Sequence, residues 1–523
     1  MNSDELESKK GDRPAGKLID YRILIPAVLI MIAGSVPLAA LENQALAVLN
    51  FTFDTVLDVF SWGYLWYAII LVIAGLYLSF SKYGQVVLGD PAEKPRFTLF
   101  EYASILIAMG VGSTIMRTGM VEWASVTASP PFGVEPGSSE ALMWGNSYSM
   151  FMWSFQVFAI FVMIAPAMAY ILHVKKRPLM RISEASRVIF GDRFTDGLGG
   201  KVLDILFLVS ILSGAAVTLG LGTPIVTHNL SALFGMEVTF TLTIIITLVW
   251  VAMFSISAYV GIDKGIKRLS KFNMYLAGLF ALFIMIAGPG VFILNYFTDS
   301  VAFLLNNYVD ISLYTGALAG GEADHIQRNT VFWFAYSATW AMLHSVFAAK
   351  ISQGRTIKEM ILTYLLAPTL LSWAATGVLG GLGVHRYITG EVDAVSIVEN
   401  QGPMPAIPEI LSTLPFPEMA LAVFIIVAMI FLTTTLDSTT YTIAAYTSTK
   451  DMSKYEPSRK LRILAAVIIT SMALVLMNIG GLEPLEVVSG LMGLPIIIIQ
   501  FILIYAAIKM MNEDKAWINN VRK

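Results

Sequence analysis

Apolar residues in this chain come in long blocks and not in alternation. About 20 predominantly apolar residues in helical form cross a hydrocarbon core. Twelve stretches of that kind lie near 23–41, 59–81, 99–124, 147–173, 203–226, 239–262, 272–296, 329–349, 361–384, 419–447, 463–481 and 487–508. Most carry no Asp, Glu, Lys or Arg. The third is interrupted by Arg117 and Glu122, the tenth by Asp437. The pattern predicts an all-α membrane protein of twelve transmembrane helices. The first 22 residues are polar and charged, so no cleavable leader is expected ahead of the first span.

The polar stretches then fix an orientation. Taking alternate connections as cytoplasmic collects the N-terminus, 82–98, 174–202, 263–271, 350–360, 448–462 and the C-terminus, which together hold 31 of the 34 Lys and Arg. Arg328 and Arg386 fall on the opposite side and Arg117 inside a span. Such asymmetry predicts twelve spans with both termini cytoplasmic, in the inner (cytoplasmic) membrane. The resulting division is a cytoplasmic N-terminus 1–22, spans one and two at 23–81, spans three to seven at 99–296, a segment 297–328, spans eight to twelve at 329–508 and a short tail 509–523. The segment 297–328 intersperses Phe303, Leu304, Leu305, Tyr308, Val309 and Ile311 with Asn306, Asn307 and Asp310, and reads as an amphipathic helix at the interface.

Composition removes whole classes of function. Apolar residues make up 56% and charged residues 14% of the chain, too few charges to cover a soluble surface of this size. A net charge of −3 with no basic face gives nucleic acid nothing to hold. Cysteine is absent, which excludes disulfides, thiolate metal sites and cysteine nucleophiles. There is no Gly-x-Gly-Asp aspartate pair and no His-Glu-x-x-His, so an intramembrane enzyme has no visible machinery. No cofactor is expected.

Chemistry is expected where a span departs from plain apolarity. Span three carries Ala108-Met109-Gly110-Val111-Gly112-Ser113-Thr114. Two glycines and two hydroxyls at mid-membrane suit either a broken helix that frees carbonyls for ions and substrate or close packing through small residues. Arg117 follows at membrane depth and needs a partner. It could clamp an anionic group or form a structural pair with Glu122, Asp437 or a helix C-terminus. Arg117 and Glu122 are five apart, so on an unbroken α-helix they do not share a face. Span ten reads Thr433-Thr434-Thr435-Leu436-Asp437-Ser438, hydroxyl ligands for a small alkali cation or groups bonded back to their own helix. Aromatic residues recur as Trp123; as Trp153, Phe155, Phe158 and Phe161; and as Trp333, Phe334, Tyr336 and Trp340. Facing rings bind quaternary ammonium groups, or simply pack. His344 shares a helix face with Trp340.

These residues resemble the betaine/choline/carnitine transporter family over nearly the whole chain. The likeness is carried by Ala349-Lys350-Ile351-Ser352-Gln353-Gly354-Arg355-Thr356, Ser129-Pro130-Pro131-Phe132-Gly133, Leu219-Gly220-Leu221-Gly222-Thr223-Pro224 and Asn295-Tyr296-Phe297-Thr298-Asp299-Ser300. The last three look most like the carnitine-exchanger branch. The resemblance implies a LeuT-like core of two inverted five-helix repeats behind two leading helices, and a homotrimer. It implies an aromatic box at Trp153, Phe158, Phe161, Tyr336 and Trp340, with the family's paired Trp falling on Tyr336 and Ser337 so that one wall is missing. His344 stands where the exchangers have a Met. It also implies a sodium site built from Gly110, Val111, Thr434 and Thr435, with no Arg in Ser270-Lys271-Phe272-Asn273-Met274 to replace the ion. The short tail lacks the long basic extension of osmosensing members.

The resulting expectation is a secondary transporter for a small zwitterion of the glycine betaine or carnitine class, coupled to sodium. Its substrate site is Trp153, Phe158, Phe161, Tyr336, Trp340, Arg117, His344 and Glu122. The rivals are a carboxylate or sulfonate held by Arg117, and sodium-independent substrate/product exchange. The partners expected are this small molecule and the lipid bilayer.

Overall fold

In hydrocarbon every backbone N–H and C=O must be satisfied inside the segment, so apolar blocks fold as helices. The computed structural model describes residues 19–40, 42–110, 112–260, 265–317, 327–479 and 483–522. Among them are helices α1 (Tyr21–Ala40), α2 (Glu42–Phe80), α3 (Leu99–Gly110), α4 (Gly112–Arg117), α5 (Trp123–Ala128), α6 (Ser139–Met152), α7 (Phe155–Val162) and α8 (Ala165–Ala169). There follow α9 (Ile182–Thr195), α10 (Leu198–Phe234), α11 (Phe240–Val260), α12 (Ile266–Ala287), α13 (Gly290–Leu313), α14 (Phe332–Ile351) and α15 (Ile357–Ile388). The last are α16 (Ala394–Gln401), α17 (Pro403–Ser412), α18 (Pro417–Thr447), α19 (Arg459–Ile479), α20 (Glu483–Glu513) and α21 (Ala516–Asn519). Three π-helical turns, Thr118–Glu122, Tyr170–Val174 and Gln327–Val331, join or extend them. Only isolated bridges represent β structure among the described residues.

Among the described residues, all twelve predicted spans fall on helix. By length and apolarity, eight described helices would cross a membrane, or nine with the bent pair Leu99–Gly110 and Ile115–Ala128 taken as one span. The other three predicted spans lie on α1, α14 and α19. Helix α14 misses an apolarity criterion because Ser337, Thr339, His344 and Ser345 are buried in it, against other protein. The layering follows burial. The window of Ser139–Val174 is 89% buried, whereas that of Ile266–Ala287 is 22% buried. Leu248, Ile256, Leu279 and Ile286 stay exposed on the outer helices, an apolar perimeter suited to lipid.

One predicted boundary moves. The seventh span was expected to run to 296, with the interfacial helix from 297. The chain instead breaks at Gly288–Pro289 and α13 starts at Gly290. Proline at 289 disfavours α geometry in the residue before it. Of the segment 297–328, residues 318–326 lie outside the described residues. Helix α13 is stitched along α6 and α7. Asn146 donates to Ser300 (2.9 Å), Tyr296 to the Leu142 carbonyl (2.5 Å) and Gln156 to Ser312 (2.6 Å). Tyr308 donates to Gln156 and lies 2.8 Å from Ser154 Oγ.

At the end of the bundle rich in Lys and Arg, the segment 349–356 pairs with 86–97. Gly354 N–H donates to Leu88 O, and Leu88 N–H to Arg355 O, each at 2.7 Å. Arg355 reaches Phe97 O (2.8 Å) and lies over the Tyr102 ring. Gly354 has φ +76° and a Cβ there would sit 2.6 Å from Lys94 O. Gly354→Ala combines left-handed strain with a backbone clash. We expect it to cost about 1–3 kcal/mol, read as a lower melting temperature of the purified protein. A loss no larger than that of Gly278→Ala, which meets open space, would contradict this. Beside the same segment Glu456 gathers Arg96 (3.6 Å), Lys350 (4.0 Å) and the Tyr441 hydroxyl.

Candidate functional site: a cavity between broken helices

Two breaks shape the site. The first lies between α3 and α4, and the halves of this span bend by 82°. A helix that stops leaves its last carbonyls without intrahelical donors. Here Ala108 O accepts from Thr435 Oγ1 (2.9 Å) and Thr434 Oγ1 (3.4 Å). Both hydroxyls also reach Phe431 O on their own helix, at 2.8 Å from Thr434 and 3.1 Å from Thr435. Gly112 permits this approach, since a Cβ on it would lie 3.0 Å from Thr435 Oγ1. Thr434 and Thr435 therefore meet the end of α3 at Ala108 O, two residues before Gly110, in a cluster of uncharged oxygens. Val111 lies outside the described residues.

Asp437, which interrupts the tenth span, is engaged away from both this cluster and Arg117. Helix α18 runs unbroken through it. Its carboxylate accepts from Arg462 (2.5 Å) and Ser257 (2.5 Å) and is fully buried.

The second break separates α6 from α7. Trp153 leaves helical geometry (φ −115°, ψ 49°), so its ring stands at the end of α6 and not along a continuous helix. Between the two breaks and α14 lies a cavity of about 240 Å³. Trp153, Phe161, Trp333, Tyr336 and Trp340 supply its rings, Arg117 and Glu122 its charges, and Gly110, Gly112 and Thr435 its junction with the oxygen cluster. It also touches Asn329, an exposed residue at the start of α14.

The structure corrects the aromatic assignment in three places. Phe158 does not line the cavity. It is fully buried behind it, 6.2 Å from the Trp153 ring and 6.0 Å from Phe161. His344 is also buried beneath the wall, its ring 4.1 Å from Phe161 and its Nδ1 bonded to the Tyr364 hydroxyl. It faces Gly110, where a Cβ would lie 3.0 Å from its Cε1. The wall thought missing is filled by Trp333, one turn before Tyr336. Trp333 packs edge-on against Trp153 (centroids 5.0 Å, 72°) and is fixed by a bond to Met152 O (2.5 Å). The spacing 333, 336 and 340 places Trp333, Tyr336 and Trp340 on one helical face, which was the available signal.

The charged pair corrects another expectation. Arg117 and Glu122 do meet, at 3.3 Å. Thr118–Glu122 is a π turn, and its i→i+5 period brings together residues that an α-helix would hold apart. The pair is not saturated: among the described residues Arg117 Nε makes no hydrogen bond, and neither do Trp153 Nε1, Trp340 Nε1 and Ser337 Oγ, while Glu122 Oε2 has only its ion pair with Arg117. These atoms are hydrogen-bonding capacity that a polar ligand in the cavity can complete.

The sequence model of the betaine/carnitine/choline family transporters matches residues 22–516. The "Uncharacterized transporter YeaV" of Escherichia coli (strain K12) is 31% identical over 451 residues, which is 86% of this chain and 92% of the relative. Among solved structures, a substrate-bound, outward-open Na+-coupled sialic acid symporter aligns with 85% of this chain and 86% of its own. Its identity is 14% and its TM-score 0.46.

Proposed function

We propose, from the premise that this chain belongs to the betaine/carnitine/choline transporter family, that it moves a small zwitterion of the glycine betaine or carnitine class by sodium-coupled symport. Membership makes it a multi-pass membrane transporter and not an enzyme. The observation that carries the finer reading is the cavity itself. It sets π faces and an Arg–Glu pair around one small volume, with the end of α3 at Met109 and Gly110 in its wall.

In this reading Trp153, Trp333, Tyr336 and Trp340 face the methylated ammonium, which ring quadrupoles attract. Phe158 and His344 back that wall. Arg117 takes the carboxylate through its planar fork. Sodium would be held by the oxygens of Gly110, Val111, Thr434 and Thr435, with Ala108 O beside them. Uncharged oxygen donors fit a hard alkali cation, and Thr435 lies in both the oxygen cluster and the cavity wall. Ion and substrate then share one structural element, so the binding of each favours the other. The protein would sit in the inner membrane with both termini cytoplasmic, as a homotrimer of paired five-helix repeats.

Glycine betaine and carnitine uptake into proteoliposomes tests this. Uptake is expected to need an inward sodium gradient, and Thr435→Ala is expected to raise the sodium concentration for half-maximal uptake about tenfold or more. Uptake that ignores sodium but needs preloaded substrate would establish exchange instead.

A further inference from the structure

We propose that the Arg117–Glu122 pair selects cargo by net charge, admitting molecules whose charges sum to zero; this rests on the cavity being the cargo site. Arg117 and Glu122 are the only charged side chains among its described lining residues. Their charges sum to zero. Both are mostly buried, with side chains 20% and 16% exposed. A charge in such a setting is expensive unless paired.

The pair is also loosely made. The contact, Arg117 Nη2 to Glu122 Oε2 at 3.3 Å, is an ion pair without hydrogen-bond geometry, and among the described residues neither Arg117 Nε nor Glu122 Oε2 makes a hydrogen bond. A structural salt bridge would be expected to satisfy those atoms. Left as they are, they suit exchange: the cargo carboxylate takes Arg117, and the cargo cation turns toward Glu122 and the ring faces. One pair is replaced by two and no charge is stranded. A pure cation cannot replace Glu122 on Arg117, and a pure anion leaves Glu122 without a partner. Glu122 is thus an internal stand-in for the cargo carboxylate. Selectivity comes as much from the ion each wrong cargo would orphan as from attraction to the right one.

Three molecules of nearly one shape separate charge from fit: glycine betaine (zwitterion), choline (cation) and 3,3-dimethylbutyrate (anion). Their affinities would be measured on the purified full-length protein at one fixed sodium concentration. The native protein is expected to favour glycine betaine tenfold or more over either ion. Glu122→Gln should move the anion-to-zwitterion affinity ratio at least tenfold toward 3,3-dimethylbutyrate. Arg117→Gln should move the cation-to-zwitterion ratio at least tenfold toward choline. The reversed pair, Arg117→Glu with Glu122→Arg, should restore the native order, and it carries the test if a single variant fails to fold.

An unchanged order in every variant, with weaker glycine betaine binding, would overturn charge selection while leaving the cavity as the cargo site. So would a reversed pair that prefers an ion. Glycine betaine affinity unmoved by these changes and by Trp153→Leu, or no binding of any probe by any form, would overturn the site assignment and the proposal with it.

Discussion

Arg462→Met is expected to destabilise the protein by about 3–5 kcal/mol, the cost of stranding one member of a buried ion pair. Asp437 is fully buried and Arg462 nearly so, their contact is 2.5 Å, and the other partner of the carboxylate is the Ser257 hydroxyl. One neutral hydroxyl cannot balance a carboxylate removed from water. The contrast is Lys454–Asp451, whose lysine is 69% exposed at 3.6 Å. Breaking that pair should cost about 0–1 kcal/mol. Thermal unfolding of purified variants reads both. The double variant Arg462→Met, Asp437→Asn should recover most of the loss, because it removes both charges. If the single and double variants melted alike, the pair would not be the source of the effect.

Trp153→Leu should weaken glycine betaine binding about 30-fold or more. A desolvated cation–π contact is worth about 2 kcal/mol, and each 1.4 kcal/mol is about tenfold. Leucine keeps apolar volume at the α6–α7 break but has no π face, so the loss isolates that contact. Trp153→Phe keeps a ring and should cost only a few-fold. The matching change behind the wall, Phe158→Leu, should alter affinity little, since Phe158 does not reach the cavity. Equal losses at Trp153 and Phe158 would mean that packing, not ring electrostatics, sets affinity.

Much of this was legible in the residues. The broken third span announces itself in Gly110, Gly112, Ser113 and Thr114, because small and hydroxylated residues at mid-membrane weaken a helix. The hydroxyls of Thr434 and Thr435 were readable as ion ligands or as groups bonded back to their own helix, and they do bond back to Phe431 O; only the family resemblance pointed them toward span three. What escaped reading depended on backbone period. The separation of Arg117 and Glu122 was judged on an α-helix, and nothing in Thr118-Gly119-Met120-Val121 signals a π turn. Trp333 was visible as an aromatic, but register was taken from Tyr336 and Ser337, so the wall it builds was counted as absent. His344 shares the face of Trp340, yet the tight approach of α3 at Gly110 seals it from the cavity. The break at Gly288–Pro289 was readable, but the apolar run on both sides hid it.

The π turn also means that chain length sets this site as firmly as residue type does. A five-residue turn carries one residue more than α geometry needs. Were the same residues to rewind as α-helix, Arg117 and Glu122 would stand about 140° apart around the axis. Deleting one residue among 118–121 would instead set the two four apart, the spacing at which an ordinary α-helix joins side chains. A relative with a single-residue gap there would keep the pair on plain α geometry, so length and helix type have to change together for the pair to survive.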